Sequence, residues 1–270
     1  MLARTVRIAW FASVVVTIGL VGCEPNGEQA RQSTRDDGPL TQTLEAHGGI
    51  DKWQQQRTFT YTLDGFPLSP QVARPNTATV DLHNRRNRIA GEGFTVGFDG
   101  QQAWSSPGPD AVGLPPRFFS LGSFYFIGMP FVFADPGVVV QDKGTGEFAG
   151  KTYRVLQVGF NTGVGYSSED DYHLFIDLDT HRLALIHHTV TELPDVDRVT
   201  WVFDQWQQVQ GLYVPARMTF YAGWNPDDPG EGAVFTIENV TFSTEPPDPA
   251  IYSPPPDAVI DAAPPKPSTQ

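Results

Sequence analysis

Residues 57–64, RTFTYTLD, place Phe59, Tyr61 and Leu63 at alternate positions, with Thr58, Thr60 and Thr62 between them. A period of two marks a strand with one face buried. Residues 76–83, NTATVDLH, repeat the pattern with Ala78, Val80 and Leu82. Similar runs follow at 87–90, 94–98, 101–105, 138–143, 153–160, 171–178, 183–192, 198–207, 213–221 and 233–242, with the Asp99-Gly100 dipeptide as a hairpin turn. Before them the period is helical. Leu40, Leu44, His47 and Trp53 share one face, interrupted by Gly48-Gly49, which predicts a helix, a kink and a second short helix. The pattern predicts a mainly β fold of about eleven strands in a meandering antiparallel sheet, with an N-terminal helix.

One stretch fits neither period. Residues 117–137 read RFFSLGSFYFIGMPFVFADPG, with no charge between Arg117 and Asp135. As a helix the 17 residues 118–134 reach about 25 Å, short of the ~30 Å hydrocarbon core of a bilayer. Gly122, Gly128 and Pro130 weaken a span further, and Pro130 breaks the helix near its end. Two readings remain open: a helical plug buried in the core, or a lid lining an apolar cavity. The lid candidates are Phe118, Phe119, Phe124, Tyr125, Phe126, Met129, Phe131 and Phe133. Arg117 and Asp135, the charges at the two ends, are the polar candidates for the cavity mouth. Arg117 at a helix start opposes the macrodipole and calls for a carboxylate or a ligand anion.

The first 22 residues stand apart. MLARTVR is a basic start, 8–20 are apolar, and LVGC at 20–23 closes the segment. That order is a secretory signal. LVGC resembles the lipobox of bacterial lipoproteins, which implies cleavage before Cys23, diacylation of its thiol and acylation of its new amine. Cys23 is the sole cysteine of the 270 residues, so no intramolecular disulfide is expected. Multiple acyl chains give a stable membrane anchor where one is marginal. Residues 23–39 then read as the lipidated cysteine and a flexible tether, 40–255 as one domain, and 256–270 as a proline-rich disordered tail. The chain carries 18 basic and 31 acidic residues, and loss of Arg4 and Arg7 leaves 16 against 31, a net −15. Such a charge excludes nucleic acid as a partner. Membrane contact is expected through the anchor, on the periplasmic face of the outer membrane, with the inner membrane as the alternative. The sequence does not name a protein partner.

The order of motifs resembles an uncharacterised family of bacterial lipoproteins with a Lol-carrier-like half-barrel fold. Ala46-His47-Gly48-Gly49 with Trp53, Phe98-Asp99-Gly100 with Trp104, Arg117-Phe118-Phe119, Gly128-Met129-Pro130-Phe131, Asp135-Pro136-Gly137, the run from Tyr172 to Asp177, and Gly211-Leu212-Tyr213-Val214-Pro215 carry the resemblance. It implies an open, strongly curved antiparallel sheet with a hydrophobic cavity beneath a helix. It transfers no ligand, because fold is not function.

A second constellation offers chemistry. Asp171, His173 and Asp177 share a strand face, and His187 lies on the next strand. Two carboxylates and two imidazoles suit Zn²⁺ or Mn²⁺, or acid/base hydrolysis. No HExxH, paired CxxC, GxSxG or phosphate-binding loop supports it, and acidic strand faces are usually solvated. The leading expectation is a non-enzymatic lipoprotein, without cofactor, that binds a lipid or another hydrophobic ligand. The alternatives are the metal or hydrolase site and an envelope interaction protein that presents a sheet edge.

Overall fold

The structure is a computed structural model and describes residues 38–161, 170–191, 198–224 and 230–261. The signal segment, Cys23, the tether up to residue 37, Glu169 and residues 262–270 lie outside the described residues.

Among the described residues, thirteen strands form a single antiparallel sheet. They are β1 (Thr58–Asp64), β2 (Asn76–Asp81), β3 (Arg86–Gly91), β4 (Phe94–Phe98), β5 (Ala103–Ser106), β6 (Val138–Phe148), β7 (Lys151–Phe160), β8 (Tyr172–Ile176), β9 (Leu183–His188), β10 (Val199–Val209), β11 (Leu212–Tyr221), β12 (Ala233–Ser243) and β13 (Val259–Asp261). Helices α1 (Pro39–Ala46) and α2 (Ile50–Gln55) precede the sheet. Helix α3 (Pro116–Ile127) and a 3-10 turn at Phe131–Ala134 connect β5 to β6.

The spatial order is β13-β5-β4-β3-β2-β1-β12-β11-β10-β9-β8-β7-β6. From β1 to β5 the chain meanders outward to one side. It then returns from the opposite edge, β6 to β12, until β12 pairs with β1. The two end strands do not meet, so the sheet is open, as the half-barrel expectation requires. This path explains the aromatic stretch. A connection from β5 to β6 must travel from near one edge to the other, across a face of the sheet. Residues on that route are covered by the sheet and must be apolar.

Alternation builds the inner face. Phe59, Tyr61 and Leu63 of β1 are fully buried, and the threonines between them are half-buried. The core runs through Trp53, Phe59, Ile89, Phe119, Phe131, Trp201 and Phe235. Trp53 stacks on Phe131 at 4.5 Å and Phe59 on Phe242 at 4.7 Å. A smaller cluster, Tyr153, Phe175 and Leu185, covers part of the other face.

The Gly-Gly kink has a steric cause. Gly48 adopts φ +111°, and a Cβ there would lie 2.2 Å from the Gly211 carbonyl oxygen. This close approach lets Tyr213 N–H donate to the His47 carbonyl at 2.8 Å, which fastens α1 to the β10–β11 turn. His47 itself is buried, donates through Nδ1 to Thr43 O at 2.7 Å, and lies edge-on to Trp206.

Three expectations change. The described residues hold thirteen strands, where about eleven were expected. The plug is not one helix over 117–134: α3 ends at Ile127, and Pro130 separates it from the 3-10 turn. Residues 259–261, within the stretch expected to be a disordered tail, form β13 and pair with β5, Ile260 opposite Trp104. Residues 257–263 form a proline-free island within the proline-rich run, and the edge of β5 offers it unpaired backbone. Among the described residues, no helix is long and apolar enough to cross a membrane.

Candidate functional site

Helix α3 has two apolar faces. Phe119, Ser123, Phe126 and Ile127 are buried towards the sheet, and Phe119 meets Phe66 and Phe94. Phe118, Leu121, Gly122 and Tyr125 form a second stripe at the i, i+3, i+4, i+7 spacing, all half-buried. That stripe lines a cavity of about 250 Å³.

The helix leans on β3, β4 and β5, and the cavity opens between it and the opposite wing of the sheet. Phe160 of β7, Tyr172 of β8, His188 of β9, Val199 and Trp201 of β10 and Phe220 of β11 supply the facing wall. Aromatic stacking stiffens it. Phe126 lies on Trp201 at 4.2 Å, and His188 on Tyr172 at 4.4 Å with planes 6° apart.

His188 donates through Nδ1 to Thr189 O at 2.6 Å, so its Nε2 lone pair accepts Trp201 Nε1–H at 3.2 Å. Burial lowers its pKa to about 3 and keeps it neutral. Asp170 also borders the cavity and accepts from Thr191 N and Oγ1, both at 2.9 Å.

The mouth carries an ion pair. Arg85 Nη2 donates to both oxygens of Asp135, at 2.5 and 2.6 Å, and the guanidinium lies 5.4 Å from the Phe124 ring centre. Arg85 sits at φ +55° in the β2–β3 turn, where the chain reverses beside the start of β6. Burial raises the Asp135 pKa, and Arg85 only partly offsets it. Burial also pushes the Tyr125 phenol well up, with Tyr172 and Asp135 adding to the effect.

The predicted residues divide. Phe118, Phe124, Tyr125, Phe126 and Asp135 line the cavity. Phe119, Met129, Phe131 and Phe133 are packed in the core. Arg117 is not at the mouth. Its Nη2 donates to Gln101 O at 2.6 Å and its guanidinium covers the Phe98 ring at 5.1 Å. The carboxylate its position called for is Asp261, which accepts the Arg117 backbone N–H at 2.9 Å and complements the helix dipole. The cation of the mouth is Arg85 instead. It stands in the Arg85-Arg86-Asn87-Arg88 cluster, and nothing local separates it from its neighbours.

His173 of β8 stands opposite His187 of β9, and Asp171 and Asp177 flank β8 on either side. The four are nevertheless not one site. Asp171 Oδ2 accepts from Arg198 at 2.6 Å and lies 3.5 Å from His173 Nε2. Asp177 is held by Lys151 at 2.7 Å and caps the following turn through Thr180 N–H at 2.8 Å. The Lys151 bond holds its carboxyl well below the usual carboxylate range. His187 Nδ1 shares a hydrogen bond with Thr200 Oγ1 at 2.9 Å. Among the described residues no three His, Cys, Asp or Glu side chains converge on a metal position.

No protein-family model matches the chain. No curated protein matches it in sequence. Among solved structures, the chain is similar to a LolA superfamily protein from Nitrosomonas europaea, at TM-score 0.49 and 12% identity over 80% of this chain and 96% of that one. It is also similar to a putative outer membrane lipoprotein-sorting protein domain from Vibrio parahaemolyticus, at TM-score 0.35 and 12% identity over 78% and 97%.

Proposed function

We propose that this chain is a non-enzymatic binding protein for a lipid or another hydrophobic ligand, held between α3 and the β7–β11 wing. In this reading Cys23 carries the acyl anchor, and the domain works at the periplasmic face of the outer membrane. One observation supports the reading above the rest. The stripe Phe118, Leu121, Gly122, Tyr125 fronts a cavity where a plug would pack against its neighbours.

The size suits one chain. The cavity is about 250 Å³, just under the ~300 Å³ at which ordinary small-molecule sites begin. Each methylene it takes from water is worth about 0.8 kcal/mol, or roughly fourfold in Kd. Affinity should therefore climb with chain length and level off when the cavity is full.

Gly122 supplies the test. It lies in the helical run, and a Cβ there meets nothing within 4 Å. Gly122→Leu therefore adds a side chain at the cavity wall whose Cβ meets no neighbour. It should also stabilise α3 by about 0.5–1 kcal/mol, because glycine is a poor helix former. Binding of the neutral dye N-phenyl-1-naphthylamine to the purified protein, followed by fluorescence, reads the cavity. The wild type should bind it, and Gly122→Leu should lose at least about tenfold while its melting temperature holds or rises. Equal binding in the two proteins, or none in the wild type, rejects the reading.

A further inference from the structure

The sheet has two outer edges. On one side β13 is only three residues long, with Pro254, Pro255 and Pro256 before it and Pro264 and Pro265 after it. Shortness and proline are ordinary guards against stray strand pairing. On the other side β6 runs eleven residues and, among the described residues, pairs with β7 alone. From Asp142 onward this edge is guarded too. The register shifts between Asp142 and Thr145, Gly144 turns at φ +81°, and Asp142 is tied to Arg154. The stretch before it, Val138-Val139-Val140-Gln141, has no charge, proline or bulge, and Val139 is 44% exposed.

The backbone of that stretch has a definite order of donors and acceptors. Asn161 N–H donates to Gly137 O at 2.9 Å, so this pair is hydrogen-bonded between the two strands. Antiparallel pairs alternate, so Val139 and Gln141 likewise turn their amides towards β7, while Val138, Val140 and Asp142 turn theirs outward. Val138 N–H already donates to Asp135 O at 3.2 Å. From Val138 C=O through Val140 N–H and C=O to Asp142 N–H, the edge reads acceptor, donor, acceptor, donor. Set antiparallel against itself about a two-fold axis at Val140, this order matches every acceptor with a donor. Val140 exchanges two hydrogen bonds with its own copy, and each Asp142 N–H meets the other Val138 C=O. The side chains agree: Val139 faces Gln141 of the copy, and Asp142, the sole charge in 138–142, faces Val138, so no like charges oppose.

We propose that this edge is a self-pairing surface: two copies of the chain join antiparallel through residues 138–142 of β6 and continue the sheet across a two-fold axis. The pair is closed, since only the two guarded β13 edges then face outward. Five residues a side bury far less than the ~1,200 Å² of a stable interface, so the association is weak and concentration-dependent. It is independent of what the cavity binds.

Sedimentation equilibrium of the purified protein from about 10 µM to about 1 mM tests it. The average mass should rise from monomer towards dimer and no further. Over the same range, hydrogen exchange of the Val140 amide should slow at least about fivefold. Val139→Lys combined with Gln141→Lys changes two exposed side chains and sets lysine opposite lysine twice across the axis. That protein should stay monomeric, with its melting temperature within about 2 °C of the wild type. Val139→Glu combined with Gln141→Glu should stay monomeric as well, and an equimolar mixture of the two double variants should dimerise. Four outcomes overturn the proposal: a wild type still monomeric at about 1 mM, a mass beyond dimer, a dimer unaffected by the lysine pair, or double variants that do not associate on mixing.

Discussion

Burial raises the Asp135 carboxyl above its ordinary 3.8, and the bound guanidinium of Arg85 does not fully compensate. The pair is about one-third exposed on each side, so its contribution to stability is small, about 1 kcal/mol or less. Its importance is that it sets the charge of the mouth. NMR titration of the side-chain carboxyl should place Asp135 above 3.8 in the wild type. Arg85→Ala should raise it further, because desolvation remains and the cation goes. A wild-type value at or below 3.8 would contradict the arrangement. The division between lining and packed aromatics was only half legible. The spacing of Phe118, Leu121, Gly122 and Tyr125 is written in the sequence, yet periodicity cannot say which stripe meets the sheet. Arg85 was illegible because its partner Asp135 lies 50 residues away, across the α3 connection.

Among the elements, β1 and β2 were the most legible, since strict alternation of Phe59, Tyr61, Leu63 with threonine admits only one buried face. Strand β13 was the least. Val259, Ile260 and Asp261 carry too short a pattern, and only the open edge of β5 makes them a strand. The break between α1 and α2 was readable as Gly48-Gly49, and its reason lies in another element. At φ +111° and 2.2 Å from the Gly211 oxygen, a methyl group is excluded on both backbone and packing grounds. Gly48→Ala should cost at least about 2 kcal/mol and detach α1 from the β10–β11 turn. Urea denaturation and exchange of the Tyr213 amide, which donates to His47 O, measure the two effects. An unchanged urea midpoint with a protected Tyr213 amide would show that the contact is dispensable.

For the molecule as a whole, buried neutral histidines set a direction to its pH response. Burial lowers His47 to about 4 and His188 to about 3, against 6.5 for the free group. Between those values and 6.5, the unfolded chain binds protons that the folded chain does not. Stability is therefore full above about pH 7 and falls as the pH drops from 6.5 towards 4, by at most about 1.4 kcal/mol per pH unit for each histidine. Asp135, with its pKa raised, works in the opposite sense at the acid end; Asp81, Asp171 and Asp177, with theirs lowered, add to the loss there. Urea midpoints at pH 7, 5.5 and 4.5 should decline in that order, and a midpoint that holds or rises on acidification contradicts the buried neutral state.

The seam between the wings also constrains the order of events in time. Thr58 sits opposite Ser243, and β1 meets β12, whereas nearly every other pairing joins strands adjacent in the chain. Each wing can form from local hairpins, but their union has to wait for residues synthesised almost two hundred positions later. Until then β1 presents one edge of unpaired backbone, and the route that α3 will cross has only half its walls. The cavity is thus a late property of the chain, absent from either wing alone and created when its distant segments close on one another.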